Sequence, residues 1–327
     1  MKLLVTGGLG FIGSNFILKL LKDSSKYEIV NLDAEFYGSN HLSLLEILSS
    51  ENYQFVKGNI SDVKIVDKLI SECDAVINFA AESFVDRSIN NAKPFLQSNI
   101  DGVFVLLEGI KNHKKKFVQI STDEVFGSLE KESATEKFAF NPSSPYAATK
   151  ACSEMLVNSY HITYGCETLT TRCTNNYGPR QFPEKLIPKT ILLAENNKKI
   201  PVYGTGKNLR DWLYVNDHCE AILAVLEKGK SGQSYNIASG NEVDNITIIK
   251  KILSIMGKDE SLIEFVEDRP GHDFRYSMNS HKLQNELGWK SKVNFDAGLK
   301  TTIEWYLSNP SWWENLSDKL FDHTPWK

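Results

Sequence analysis

Lys2-Leu3-Leu4-Val5-Thr6-Gly7-Gly8-Leu9-Gly10-Phe11-Ile12-Gly13 opens the chain. Leu3, Leu4 and Val5 form a short apolar run of the kind that makes a buried strand. Gly8, Gly10 and Gly13 follow with the spacing of a dinucleotide-binding turn. Such glycines allow a tight turn and a close approach of backbone to a pyrophosphate, and the last lets the next helix pack on the strand. The start of that helix offers free amide donors to phosphate oxygens. A second apolar run, Glu28-Ile29-Val30-Asn31-Leu32, ends at Asp33. An acid there accepts hydrogen bonds from adenosine ribose hydroxyls and repels a 2'-phosphate, so the pattern favours NAD over NADP.

Working outward, strand-like runs continue at Tyr53–Val56, Ala75–Phe79, Phe117–Ile120 and Thr168–Thr171. Helix-like stretches lie between them, at about 62–70, 94–112 and 145–164. This alternation predicts an α/β fold, a doubly wound parallel sheet of Rossmann type. The remainder is richer in Pro and Gly, with shorter strands and two further helices near 244–256 and 295–308. It reads as a smaller C-terminal α/β substrate-binding domain set over the carboxyl ends of the strands. The expected division gives residues 1–173 and 212–239 to an NAD-binding domain. Residues 174–211 and 240–327 go to the substrate-binding domain.

Composition narrows the function classes. The chain has 327 residues, 41% hydrophobic content and a formal net charge of -4. Acids and bases are interspersed, so nucleic-acid binding gains no support. The basic run from Lys111 to Lys116 fits the solvated end of a helix. Cys73, Cys152, Cys166, Cys173 and Cys219 are scattered without paired spacing, which predicts neither a disulfide framework nor a metal site. Met1 stands almost at the first strand, which leaves no room for a signal peptide, and no apolar run has membrane-spanning length. The expectation is a cytoplasmic protein without a membrane partner.

Tyr146 and Lys150 stand four apart, a spacing that puts both on one helix face. An ammonium near a phenol favours the phenolate, so such a Tyr can serve as a base. The pair follows a strand ending in Ser121-Thr122-Asp123-Glu124. Strand ends at the carboxyl edge point into the ligand crevice, and two adjacent carboxyls beside a hydroxyl suggest proton transfer.

These stretches resemble the extended short-chain dehydrogenase/reductase family. Ser121-Thr122-Asp123-Glu124-Val125-Phe126-Gly127 resembles the signature of its nucleotide-sugar 4,6-dehydratases. The stretches Ala80–Ser88, Asn175–Pro179, Gln181–Pro188, Gly206–Val215 and Asp268–Asp273 extend the likeness through most of the chain. They are similar to the dehydratases that act on dTDP-glucose.

The resemblance implies an internal redox reaction with NAD as cofactor. Tyr146 would take a proton from the sugar 4-hydroxyl, with Thr122 hydrogen-bonded to the same oxygen and Lys150 holding the nicotinamide ribose. Glu124 would remove the C5 proton and Asp123 would protonate the departing 6-hydroxyl. Gly7, Gly10, Phe11, Ile12, Gly13, Asp33, Asn59, Ile60, Ala80 and Ala81 would hold the cofactor, with Tyr146 and Lys150. Ser83, Asn176, Glu184, Lys185, Leu186 and Lys189 would line the nucleotide-sugar path. Pro201 and Tyr203 would border the base, while Arg210, Asn245, Arg269 and His272 would reach the diphosphate, deoxyribose or base. The alternative for Arg210 is an ion pair with Asp211. The resemblance also implies a homodimer through the helices at 94–112 and 145–164, while the scattered cysteines and histidines predict no structural metal.

Two positions depart from the family pattern. Phe84 stands where a His is usual, and Asn59 replaces an acid that meets the adenine. The substrate reading leaves dTDP-glucose and UDP-glucose open, because a methyl group is worth only about 1–3 kcal/mol of discrimination. An epimerase or a decarboxylase has no use for the Asp123–Glu124 pair. A non-catalytic NAD sensor would be expected to lose Tyr146, Lys150 or the acids.

Overall fold

The structure is a computed structural model that describes residues 1–23, 26–314, 316 and 326. Seven strands form one parallel sheet: β1 (Lys2–Thr6), β2 (Glu28–Asp33), β3 (Tyr53–Lys57), β4 (Ala75–Asn78), β5 (Lys116–Thr122), β6 (Thr168–Cys173) and, after three strands placed elsewhere, Ser234–Ile237. Those three are β7 (Asn175–Tyr177), β8 (Ile200–Tyr203) and β9 (Leu209–Tyr214), so Ser234–Ile237 is β10. The sheet order is β10-β6-β5-β4-β1-β2-β3. Strand order therefore reverses between β1 and β4, and a crevice opens at such a switch point.

Alternation along each strand feeds a core on each face of the sheet. Leu3 and Val5 pack with Phe16, Ile17 and Leu20 of the helix Phe11–Asp23 and with Ile222 and Val225 of the helix Val215–Lys228. Leu4 points the other way, to Val66 and Leu69 of the helix Val63–Ser71, Val103 and Leu106 of Gly102–His113, and Val157 of Pro145–Tyr164. The last helix starts where the sequence predicts. The Ser144 hydroxyl accepts from the Ala147 N–H at 3.1 Å, and Pro145 holds the first helical position.

A separate core gathers Ile187 and Ile191 of the helix Leu186–Glu195, Ile248 and Ile252 of Asn245–Met256, and Leu299 and Ile303 of Phe295–Ser308. It packs with Tyr177 of β7 and Trp212 of β9. β9 also pairs with β11 (Glu242–Asp244), and β8 pairs with β12 (Ile263–Val266).

Two expectations about helices need correction. The 94–112 helix is present but not uniform: Gln97–Asp101 is wound as a π-helical turn between Lys93–Leu96 and Gly102–His113. Asn99 in that turn reaches out to the Glu82 backbone, accepting from its N–H at 3.0 Å and donating to its carbonyl at 3.1 Å. The later chain also holds more helix than two segments. Leu186–Glu195 is buried from Ile187 through Ala194, so it shows no one-sided apolar stripe to read. Val215–Lys228, His281–Leu287 and the single turn Pro310–Trp313 are the others passed over.

Candidate active site

A cavity lies along the carboxyl ends of β1 to β6. Its floor is the glycine turn. The Gly10 N–H donates to the Gly7 carbonyl at 3.2 Å, and the Ser14 N–H to the Gly10 carbonyl at 2.9 Å. Gly7 has φ +70°, and a Cβ there would lie 2.6 Å from the Ala80 backbone. A Cβ on Gly13 would lie 2.5 Å from the Gly7 carbonyl oxygen. Gly7, Gly10 and Gly13 line the cavity. Gly8 does not have the place that its spacing suggests. Its N–H donates to Asn31 Oδ1 at 3.0 Å, and its Cα packs against that side chain and Ile17.

Asp33 stands at the end of β2, 5% exposed. Its Oδ1 accepts from the Glu35 N–H at 2.8 Å and the Ser39 hydroxyl at 3.0 Å, and its Oδ2 from the Leu9 N–H at 2.9 Å. One acceptor position is left on Oδ2 for a ligand hydroxyl. The Asn59 side-chain oxygen is turned inward to the Ser61 N–H and hydroxyl, both at 2.9 Å. Its amide nitrogen is what it can offer to the cavity, a donor where an acid would accept. The turn that no Cβ can enter and the remaining lone pair on Asp33 together suit a dinucleotide.

The proposed catalytic side chains converge on the same cavity. β5 delivers Thr122 and runs into the short turn Asp123–Phe126, where the Thr122 hydroxyl accepts from the Glu124 N–H at 3.3 Å. Gly127 closes this turn at φ +68°, and a Cβ there would lie 2.2 Å from the Asn141 carbonyl oxygen. Tyr146 and Lys150 come from the facing helix, both buried. The Tyr146 N–H is fixed by Ser88 Oγ at 3.2 Å, and Lys150 Nζ donates to the Ile120 carbonyl at 2.6 Å.

Burial governs the titration of these groups. It holds the Asp123 carboxyl well above its ordinary value, and the neighbouring Glu124 charge pushes it further. Asp123 Oδ2 is buried without a hydrogen-bond partner among the described residues. Burial raises Glu124 as well, but Arg269, Lys185 and Arg210 pull it back. The two acids thus differ, with Asp123 the more firmly protonated. Lys150 falls to about 8 through burial. Tyr146 is held well above its ordinary value by burial and then by Glu124, while Thr122 draws it down. The expected depression of the phenol by Lys150 is not what dominates this arrangement, in which the ammonium is turned to a backbone carbonyl.

A second cavity adjoins the first, and Phe84, Glu124, Asn175 and Lys185 line both. Ser83 and Asn176 face the first; Glu184, Leu186, Lys189, Pro201, Tyr203, Arg210, Asn245, Arg269 and His272 line the second. Several are already engaged. Asn176 Oδ1 bonds His218 Nδ1 at 2.9 Å, and its Nδ2 donates to the Thr174 carbonyl at 2.9 Å. Glu184 takes the Arg87 guanidinium and the Tyr37 hydroxyl. Lys185 donates to the Ser83 carbonyl at 2.9 Å.

Arg210 donates to the carbonyls of Leu209, Phe274 and Asp273 and lies 4.2 Å from the centre of the Tyr276 ring. It does not pair with Asp211, which accepts instead from the N–H groups of Ser239, Gly240 and Asn241. His272 bonds Asp268 at 2.6 Å. Burial, with Arg269 and Arg210 nearby, lowers it to about 4.

Phe84 sits in an apolar wall with Phe182 and Tyr37, ring centres 5.8 and 5.1 Å away. Lys185 Nζ is 4.8 Å from the Phe84 ring centre. Tyr276 was missed by sequence reasoning; its hydroxyl donates to Asp273 at 2.7 Å and lies 3.5 Å from Glu124 Oε2.

The profile of the family described as GDP-mannose 4,6 dehydratase matches residues 4–302. The chain belongs to that family. It is 45% identical to a dTDP-glucose 4,6-dehydratase of Xanthomonas campestris pv. campestris, over 96% of this chain and 95% of that one. It is 45% identical to a dTDP-glucose 4,6-dehydratase of Streptomyces niveus, over 97% and 96%. Among solved structures, DesIV (dTDP-glucose 4,6-dehydratase) from Streptomyces venezuelae with NAD and TYD bound superposes with a TM-score of 0.95. It is 42% identical, over 97% of this chain and all of that one.

Proposed function

We propose that this chain is an NAD-dependent dTDP-glucose 4,6-dehydratase yielding dTDP-4-keto-6-deoxyglucose. The observation that carries the reading is the Asp123–Glu124 pair in unlike environments, with Asp123 buried in the first cavity and Glu124 half-buried where the two cavities meet. A 4-epimerase moves no proton at C5 and expels no water, so it has no work for two such acids.

NAD, when bound, supplies the acceptor that oxidises C4 and returns the same reducing equivalent to C6. Gly7, Gly10, Gly13, Asp33 and Asn59 are the groups placed to hold it, and Lys150 to meet its nicotinamide ribose. Burial keeps the Tyr146 phenol protonated and the Thr122 hydrogen bond favours its ionisation; as the phenolate, Tyr146 would accept the proton of the sugar 4-hydroxyl, with Thr122 hydrogen-bonded to that oxygen. The ketone at C4 acidifies the C5 proton, which Glu124 removes. Asp123 gives its proton to the 6-hydroxyl, which leaves as water. Glu124 then returns a proton to C5. One ionised and one protonated carboxyl are required, and burial with unequal cationic neighbours favours that division.

Residues 1–173 and 212–239 then form the cofactor side of the enzyme, and 174–211 with 240–327 the nucleotide-sugar side. We read the enzyme as a homodimer. Leu96, Phe104, Met155, Ile162 and Tyr164 are exposed on the helical segments between 93 and 164. An apolar surface of that kind suits a second copy.

The test is turnover of dTDP-glucose and UDP-glucose side by side, read by the strong alkaline absorbance of a 4-keto sugar. Preferential turnover of dTDP-glucose is expected. A higher kcat/KM on UDP-glucose would reassign the substrate, and no product from either would overturn the reading.

A further inference from the structure

Asp86 takes no part in the scheme above, yet one carboxylate holds two groups of the second cavity. It lies on the short helix Val85–Asn90, just past the stretch that lines both cavities. Its Oδ1 accepts from Arg269 Nη1 at 2.7 Å and its Oδ2 from the Tyr203 hydroxyl at 3.2 Å. The ion pair is well enclosed, with side chains 15% and 14% exposed. Tyr203 pairs with Val266 across β8 and β12, so Tyr203 and Arg269 leave the same end of one two-stranded ribbon.

The contact constrains Arg269 in a particular way. Asp86 takes one end nitrogen of the guanidinium. Nε is buried and has no hydrogen-bond partner among the described residues. The edge formed by Nε and Nη2 is the fork that matches two phosphate oxygens. A guanidinium pinned at Nη1 leaves that edge without a protein partner among the described residues. Tyr203 is pinned through its hydroxyl by the same carboxylate. Its ring is braced by Trp326, with centres 5.0 Å apart and planes at 90°.

We propose that Asp86 is a positioning residue for a nucleoside diphosphate: it aims the Arg269 fork at the diphosphate and sets the Tyr203 ring against the base. This rests on reading the second cavity as the nucleotide-sugar site. The opposing effect is electrostatic, since Asp86 also offsets part of the Arg269 charge. If charge outweighed aim, removing Asp86 would tighten binding.

The experiment is a calorimetric titration of the NAD-loaded protein with dTDP, for the natural chain, D86A and D86N. D86A is expected to weaken dTDP by about tenfold or more. In D86N the amide oxygen still accepts from Arg269 and the amide nitrogen can donate to Tyr203, so affinity stays within about threefold. In turnover the KM for dTDP-glucose follows the same order, with kcat within about threefold. D86S, too short to reach Arg269, serves in place of D86A should that variant fail to retain NAD. The proposal is overturned if D86A binds dTDP as tightly as the natural chain or tighter, if D86N is as weak as D86A, or if the natural chain does not bind dTDP. A natural chain that binds dTDP without converting dTDP-glucose contradicts the dehydratase reading alone.

Discussion

Replacing Glu124 with Gln removes the proton acceptor for C5 but leaves Tyr146 and Lys150 in place. C4 oxidation should therefore proceed in E124Q and NADH should accumulate, seen by its absorbance. Water loss should slow by on the order of 10²–10⁴. Equal slowing of both steps would remove Glu124 from this role. The base must be ionised, and its carboxyl is raised by burial. In the natural chain the rate of water loss should rise with pH through a value above the ordinary 4.5 for this group. Asp123 has a stability consequence as well. Its folded value lies well above the ordinary 3.8, so the folded state binds that proton the more tightly. The stabilisation is present below 3.8 and is lost as pH rises through the folded value. D123N escapes this loss. It should melt above the natural chain at neutral pH while losing dehydration. The advantage should shrink as pH falls toward the ordinary carboxylate range; a constant offset would contradict the assignment.

The turns at the carboxyl ends of β1 and β5 carry the site, and each depends on a glycine. Gly127→Ala forces a side chain into φ +68° with a carbonyl oxygen 2.2 Å from its Cβ. Such a residue costs about 1–3 kcal/mol, and the Asp123–Phe126 turn must shift to relieve it. Activity should fall sharply in Gly127→Ala while NAD content, set by the β1 turn, is retained. Loss of NAD instead would mean that the two turns are not independent. Elements of this kind differ in how far sequence reveals them. β1 to β6 and the helix Pro145–Tyr164 were legible because apolar runs, caps and prolines act locally. The roles of Gly7 and Gly8 were not, since they depend on Ala80 and Asn31, which approach only in the folded chain. The helix Leu186–Glu195 is buried too completely to show a stripe, and Tyr276 reaches Glu124 from far along the chain. Asp86 stood in a quoted stretch, but its partners come from far along the chain, Tyr203 from the end of β8 and Arg269 from the loop after β12, and no local pattern announces them.

At the scale of the molecule, the parallel sheet collects strand ends from across the first half of the chain into one crevice. The later segments close a second cavity against it. The exposed residues on the segments between 93 and 164 set a further expectation. Sedimentation should find two copies of the chain, and Phe104→Glu together with Met155→Glu should yield single chains with their fold intact. A natural chain sedimenting as a monomer would contradict the dimer. The central claim is that the paired acids turn an NAD-dependent oxidation into a dehydration. The mass of the product formed from dTDP-glucose by the purified chain tests it most directly. The account predicts a sugar nucleotide lighter than the substrate by one water, with no net NADH formed. A product of unchanged mass, as an epimer would be, would contradict it.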